Sequence, residues 1–177
     1  MTMIRLGALV FCCLCVSSTR ADCGYGWKSF KDSCYLFVDN FMDWYDAQAD
    51  CVRRGGHLVD IVDAEENEFI HSNLHDYWNW HHIGLSDTID EGTFKWVTGT
   101  AMEYDNFWPG EPNDSRGAED CAEMRYSGLW NDVSCYKNQY YICEKEASDS
   151  GNVDTTLRDA SSGDATTTTE QYDFRWK

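Results

Sequence analysis

The sequence predicts an α+β domain in which two helices pack on small antiparallel sheets and a long polar loop interrupts the strands. Three observations carry that expectation. Capped stretches with helical apolar spacing fall between Asp43 and His75, short β-type runs follow from His82 onward, and a segment rich in Gly, Asp, Asn and Pro runs from Ser86 to Asp120. The chain's 8 Trp, 10 Tyr, 8 Phe and 9 Cys supply a core that a disordered acidic chain lacks.

Residues 1–21 come first. They hold one early cation, Arg5, and an apolar run of roughly 11 residues from Leu6 to Val16, against the roughly 20 needed to cross a bilayer. This reads as a secretory signal peptide cleaved after Ala21, which implies a secreted, extracellular chain with no membrane insertion. Cleavage also removes Cys12, Cys13 and Cys15. The remaining Cys23, Cys34, Cys51, Cys121, Cys135 and Cys143 form an even set with no CxxC pair, so disulfides are favoured over zinc and the count leaves their pairing open.

Asp43 can cap a helix through Trp44, Ala47, Cys51 and Val52, whose spacing makes one buried face, and Gly55-Gly56 stops it. Asp63 followed by Glu66 is a capping-box variant opening a second helix through Phe69 and Ile70 to about His75. Strand candidates are His82–Leu85, Phe94–Val97, Cys121–Arg125 and Tyr140–Glu144. The domain is expected to span 22–146. Beyond it, 147–177 turns to Ser, Thr, Asp and Gly and is expected to be a disordered tail, open to O-linked glycans.

A net charge of −17, from 31 acidic against 14 basic residues, argues against a nucleic acid partner. The Ser86–Asp120 segment is too long for an ordinary connection, and such loops carry function. It supplies Glu111-Pro112-Asn113 and Glu119-Asp120-Cys121, and Trp130-Asn131-Asp132 follows. These side chains offer oxygen ligands. Carboxylates and amide carbonyls suit a hard cation such as calcium, which takes several oxygens, better than zinc or copper. Asn113 and Asn131 add neutral oxygens while keeping amide donors for another partner.

In register with Cys135, Cys143 and the upstream His82-Ile83-Gly84-Leu85, these motifs resemble the C-type lectin domain of the mannose-binding, Glu-Pro-Asn class, from about Cys23 to Glu146. The resemblance implies the C-type lectin-like fold in its long form, bridged Cys23–Cys34, Cys51–Cys143 and Cys121–Cys135. It implies one calcium ion held by Glu111, Asn113, Glu119, Asn131 and Asp132, its shell completed by two vicinal sugar hydroxyls. Each hydroxyl gives a lone pair to the ion and its proton to a carboxylate, and accepts from an asparagine amide. Glu111 and Asn113 would serve one hydroxyl, Glu119 and Asn131 the other. The resemblance further implies a cis Glu111–Pro112 bond and a preference for equatorial 3- and 4-hydroxyls, as in mannose, over galactose. Asp87, Glu91, Asp114 and Asp120 match an auxiliary calcium site that braces the loop.

His82 stands where the family usually has Trp, which alters packing but no expected ligand. Asn113-Asp114-Ser115 is a glycosylation sequon, expected to stay unused because a glycan there would block the amide the site needs. His71 and His75 lie four apart, a spacing compatible with zinc, and His57, His81 and His82 add imidazoles, yet the HExxH pattern is absent and no zinc is expected. Calcium coordination already accounts for the paired acids a glycosidase would need, so no catalysis is expected. The leading reading is a calcium-dependent lectin for mannose-type glycans, as on microbial surfaces in innate immunity. The alternative is an acidic extracellular matrix, biomineral-binding or ice-binding protein of the same fold. Oligomerisation stays open, since no collagen repeat or heptad neck is visible.

Overall fold

A computed structural model describes residues 23–74 and 79–148. The expected leader at 1–21, His75, and the expected tail from residue 149 onward lie outside the described residues. In chain order the elements are β1 (Lys28–Phe30), β2 (Ser33–Met42), α1 (Trp44–Arg53), β3 (His57–Leu58), α2 (Ala64–Ser72), β4 (His81–Ser86), β5 (Lys95–Trp96), β6 (Cys121–Met124), β7 (Trp130–Val133) and β8 (Gln139–Glu146). The strands join in the order β1-β2-β8-β4-β6-β7, with β3 on β8 and β5 on β4. All pairings are antiparallel except β4 with β8, where His81 faces Tyr140 and His82 faces Tyr141.

Helix α1 forms as its sequence dictates. Asp43 accepts from the Asp46 N–H at 2.8 Å, and Trp44, Ala47 and Cys51 face inward, with the Trp44 indole donating to the Ile83 carbonyl at 2.9 Å. Val52 departs from the expected buried face: it is 57% exposed, one step round the helix from Cys51. The vacant inward position goes to Asp50, which takes Arg54 at 2.6 Å, Arg53 at 2.9 Å and the Tyr141 hydroxyl at 2.5 Å. A buried carboxylate is tolerated there because its oxygens are paired.

Helix α2 starts at the expected cap, where Asp63 accepts from the Glu66 N–H at 2.8 Å. Glu66 reaches back to the Val62 N–H at 2.8 Å and also takes the Tyr35 hydroxyl at 2.5 Å, tying the cap to β2. The helix ends at Ser72, short of His75, because the Asn73 amide bonds the Phe69 carbonyl at 2.7 Å and satisfies an open helix end.

Strands β1, β2, β3 and β7 lie outside the sequence expectation. β2 and β8 form the long central pair, in register from Ser33↔Glu146 to Val38↔Tyr141. One core cluster gathers around Trp130, which is fully buried and meets Trp96, Tyr104 and Phe107 edge-on at 5.6–5.7 Å. Its indole donates to Asn67 at 2.9 Å, so α2 is latched to β7. A second cluster holds α1 against β8 around Cys51, Leu58 and Tyr141. The bridges are Cys23–Cys34, Cys51–Cys143 and Cys121–Cys135, as the resemblance implies. Among the described residues no helix is long and apolar enough to cross a membrane.

Candidate functional site

The β6–β7 hairpin is the platform. Its register sets Ala122 opposite Asp132 and Glu123 opposite Asn131, and Cys121–Cys135 closes its base. The loop that enters β6 is strapped onto β7 by two backbone bonds, Trp108 N–H to the Trp130 carbonyl and Trp130 N–H to the Asn106 carbonyl, each at 2.9 Å, and within the loop the Glu111 N–H bonds the Trp108 carbonyl at 2.8 Å. The Glu111–Pro112 bond is cis.

Asp132 organises the tripeptide. Its carboxylate is fully buried, and Oδ2 accepts from the Asn113 N–H at 2.8 Å and the Asp114 N–H at 2.5 Å. Its Oδ1 is buried without a hydrogen-bond partner. The Asn113 amide donates to Glu111 Oε2, and Glu119 accepts from the Ser115 N–H at 3.2 Å. Burial raises the Glu111 pKa and the neighbouring Asp132 charge adds to it, with the Asn113 bond opposing. Glu111, Asn113 and Asp132 are thus gathered by direct contacts, and Glu119 joins through Asp114, whose Oδ1 takes the Glu119 N–H at 3.2 Å.

Asn131 behaves differently from the expectation that its amide is free to donate outward. Its Nδ2 bonds Glu123 Oε1 at 3.0 Å and the Asp132 carbonyl, which leaves Oδ1 as the group offered to the site. Behind it, Glu123 is fully buried and also receives Gln139 and, at 3.4 Å, Lys137. Burial pushes the Glu123 carboxyl up to about 7 against the pull of Lys137, Asn131 and Arg125.

Three of the four expected auxiliary ligands meet directly: Glu91, Asp114 and Asp120 bring carboxylate oxygens within 4.8 Å of one another. Asp87 is buried beside them, with Oδ2 on the Gly92 N–H at 2.9 Å and Oδ1 without a partner. Burial first, then the Asp120 and Asp114 charges, raise the Asp87 pKa; Asp87 itself is the main cause of the rise at Glu91. Asp114 joins both acidic groups, since its backbone is held by Asp132 and its side chain lies with Glu91 and Asp120.

The residues present fit a hard divalent cation. The donors are oxygen only, and two buried carboxylate oxygens, on Asp132 and Asp87, are orphaned within acidic groups. Like charges held together in this way favour a multivalent counter-ion.

The described histidines lie on three elements, His57 on β3, His71 on α2, and His81 and His82 side by side on β4. His57 bonds the Leu58 carbonyl at 2.8 Å, His71 lies 3.6 Å from Glu68, and His81 is buried in β4. His82, in the usual tryptophan position, is fully buried with Nε2 2.9 Å from the Lys137 carbonyl, and burial pushes its pKa down to about 4. The open groove lined by Phe30, Ala64 and Phe69 shares no residue with either acidic group.

Sequence reasoning missed Glu123, Trp80, Trp108 and Arg125 beside the site. The Arg125 guanidinium lies 4.3 Å from the Trp80 ring centre and 5.6 Å from that of Trp108, and 3.4 Å from Asn131 Oδ1. An acid and an arginine alternating within a β-type run was the available signal for Glu123 and Arg125; the tryptophans carry none.

Residues 40–145 match the family model of the Lectin C-type domain. The human protein "C-type lectin domain family 17, member A" is 36% identical over 151 residues, covering 83% of this chain and 37% of that protein. The chain thus spans about a third of that relative's length, 37%. Among solved structures, the carbohydrate-recognition domain of cow CD23, determined in the presence of a GlcNAc2Man3 oligosaccharide, superposes with a TM-score of 0.69 at 34% identity, over 73% of this chain and 99% of that one. A calcium-independent type II antifreeze protein gives a TM-score of 0.66 at 30% identity, over 71% of this chain and 95% of that one.

Proposed function

This chain belongs to the C-type lectin domain family, and from that premise we propose that it is a secreted, calcium-dependent lectin for mannose-type sugars, those with equatorial 3- and 4-hydroxyls. The observation that carries the reading is the Asp132 carboxylate: fully buried, one oxygen fixing the backbone of Asn113 and Asp114, the other without a partner. A buried charge of this kind costs several kcal/mol unless compensated, and a cation compensates it.

Glu111, Asn113, Glu119, Asn131 and Asp132 would hold the ion, which supplies a Lewis-acid centre for two vicinal hydroxyls. Glu111 and Glu119 then accept the hydroxyl protons. The Asn113 amide, exchanging its bond to Glu111 for one to the sugar, returns a donor, so its sequon stays free of glycan. Asp87, Glu91, Asp114 and Asp120 would hold a second ion and brace the loop. Recognition proceeds by coordination, with no bond cleaved. A contact through two hydroxyls is weak, about 1 mM for a monosaccharide, so useful strength comes from many sites meeting many glycans, as on a microbial surface.

The antifreeze neighbour keeps a second reading alive, in which the acidic face binds ice or mineral without a sugar. Retention on immobilised mannose separates the two. Release by chelator and by free mannose, with galactose a poor competitor, is the expected result. Retention unchanged in excess chelator, or found only on ice or carbonate, would falsify the lectin reading.

A further inference from the structure

We infer that Arg125, clamped by Trp80 and Trp108, forms an anion-accepting subsite beside the sugar site and selects saccharides that carry a sulfate or carboxylate. The inference rests on the lectin reading above and adds the class of ligand.

Arg125 leaves the end of β6 at a tight turn, its N–H bonded to the Leu129 carbonyl at 2.8 Å and its carbonyl to the Gly128 N–H at 2.9 Å. The backbone is therefore fixed on both sides. Its guanidinium lies against two indoles, 4.3 Å from the Trp80 centre and 5.6 Å from that of Trp108. Such packing sets the plane of the group and removes much of the entropy that anion capture would otherwise cost.

What the group lacks is an acceptor. Several cations of this acidic chain are matched by carboxylates: Arg53 and Arg54 with Asp50, Lys31 with Asp63, Lys137 with Glu123. Among the described residues the Arg125 guanidinium forms no ion pair; its one side-chain hydrogen bond there, to Asn131 Oδ1, is long at 3.4 Å, and its Nε is buried without a partner. Asn131 Oδ1 is also the oxygen proposed for the ion. Committing it there leaves the guanidinium held by the two indoles without a side-chain hydrogen bond, a planar donor fork beside Asn131, one of the residues proposed to meet the sugar. Sulfate and carboxylate match that fork with two oxygens each. Trp108, 42% exposed, adds an apolar face for the sugar ring.

The test uses the full chain in saturating calcium. Affinities are measured for the methyl glycosides of N-acetylglucosamine, N-acetylglucosamine 6-sulfate and glucuronic acid, which share the equatorial 3,4-diol and differ in charge at position 6. At least one acidic sugar is expected to bind about tenfold more tightly than the neutral one, as one charge-assisted pair allows, with the advantage shrinking as salt rises. Sulfate and carboxylate arms show which anion fits. In Arg125→Met the ratio of acidic to neutral affinity should fall to one or below, and Trp108→Ala should lower it; a ratio within each protein is insensitive to a general loss of binding. If Arg125→Met does not fold, Arg125→Lys, keeping charge without the planar fork, should lower the ratio in its place. Equal affinities in the wild type, or a preference that survives Arg125→Met, overturn the subsite and leave the lectin reading standing. Absence of binding to all three sugars overturns both.

Discussion

Asp60 packs against Gly84 with its Oδ2 accepting from the Thr98 hydroxyl at 2.5 Å, while its Oδ1 is buried without a hydrogen-bond partner and lies 3.8 Å from His57 Nδ1. Burial pushes its carboxyl up to about 6; Thr98 and His57 pull it down, and the charges of Glu144 and Glu66 push it further up. The folded chain therefore holds this proton more tightly than the unfolded chain does. Its contribution to stability is complete below about pH 4 and is lost as pH rises through about 6, by up to about 3 kcal/mol. Asp60→Asn keeps the shape and removes the titration. Thermal midpoints followed from pH 4 to pH 8 at fixed calcium should show the variant gaining on the wild type as pH rises, and being the more stable at pH 7. Parallel curves would mean that Asp60 does not carry the proton.

At the scale of elements, Gly84 sits in β4 where the chain from Leu58 to Asp60 crosses closest. A Cβ at Gly84 would lie 2.5 Å from the Leu58 carbonyl and 3.0 Å from Asp60 Oδ1, and both its backbone groups are in use, on Val59 at 2.8 Å and Val97 at 2.7 Å. Gly84→Ala should cost at least about 2 kcal/mol, read from a urea midpoint, and a loss below about 0.5 kcal/mol would mean that β4 can step away. This crowding explains why β4 was legible: a glycine inside an apolar β-type run is a local signal. Helix α1 was legible for a similar reason, since Asp43 and the Trp44–Ala47–Cys51 spacing act within a few turns. The β1–β2 hairpin was not. β2 is half-buried along much of its length, so it shows no alternation, and its place is set by β8, a hundred residues away in register. β7 was hidden by its own chemistry, because Asn131 and Asp132 read as ligands while their strand is held by pairing with β6. The acidic groups could be listed from spacing, yet the Arg125–Trp80–Trp108 cluster could not, being assembled only by the fold.

At the scale of the whole molecule, the bridges should differ in weight. Cys51–Cys143 closes a separation of 92 residues and Cys23–Cys34 one of 11, so chain entropy assigns them about 4–5 and about 3 kcal/mol. Paired serine replacements compared by denaturant melting should keep that order; the reverse order would show that local packing, not loop length, decides. The arrangement of β8 has a mechanical meaning as well. At its far end Ser33 pairs with Glu146 and the Ala147 N–H bonds the Asp32 carbonyl at 2.9 Å, so the β1–β2 turn lies beside the end of β8. At its near end Gln139 touches Glu123 behind Asn131. The two ends are about 23 Å apart at roughly 3.3 Å per residue. The domain is built like a knob on a two-ply stem: a pull applied after residue 147 acts at the foot, and the acidic face stays at the crown, at the other end of β8.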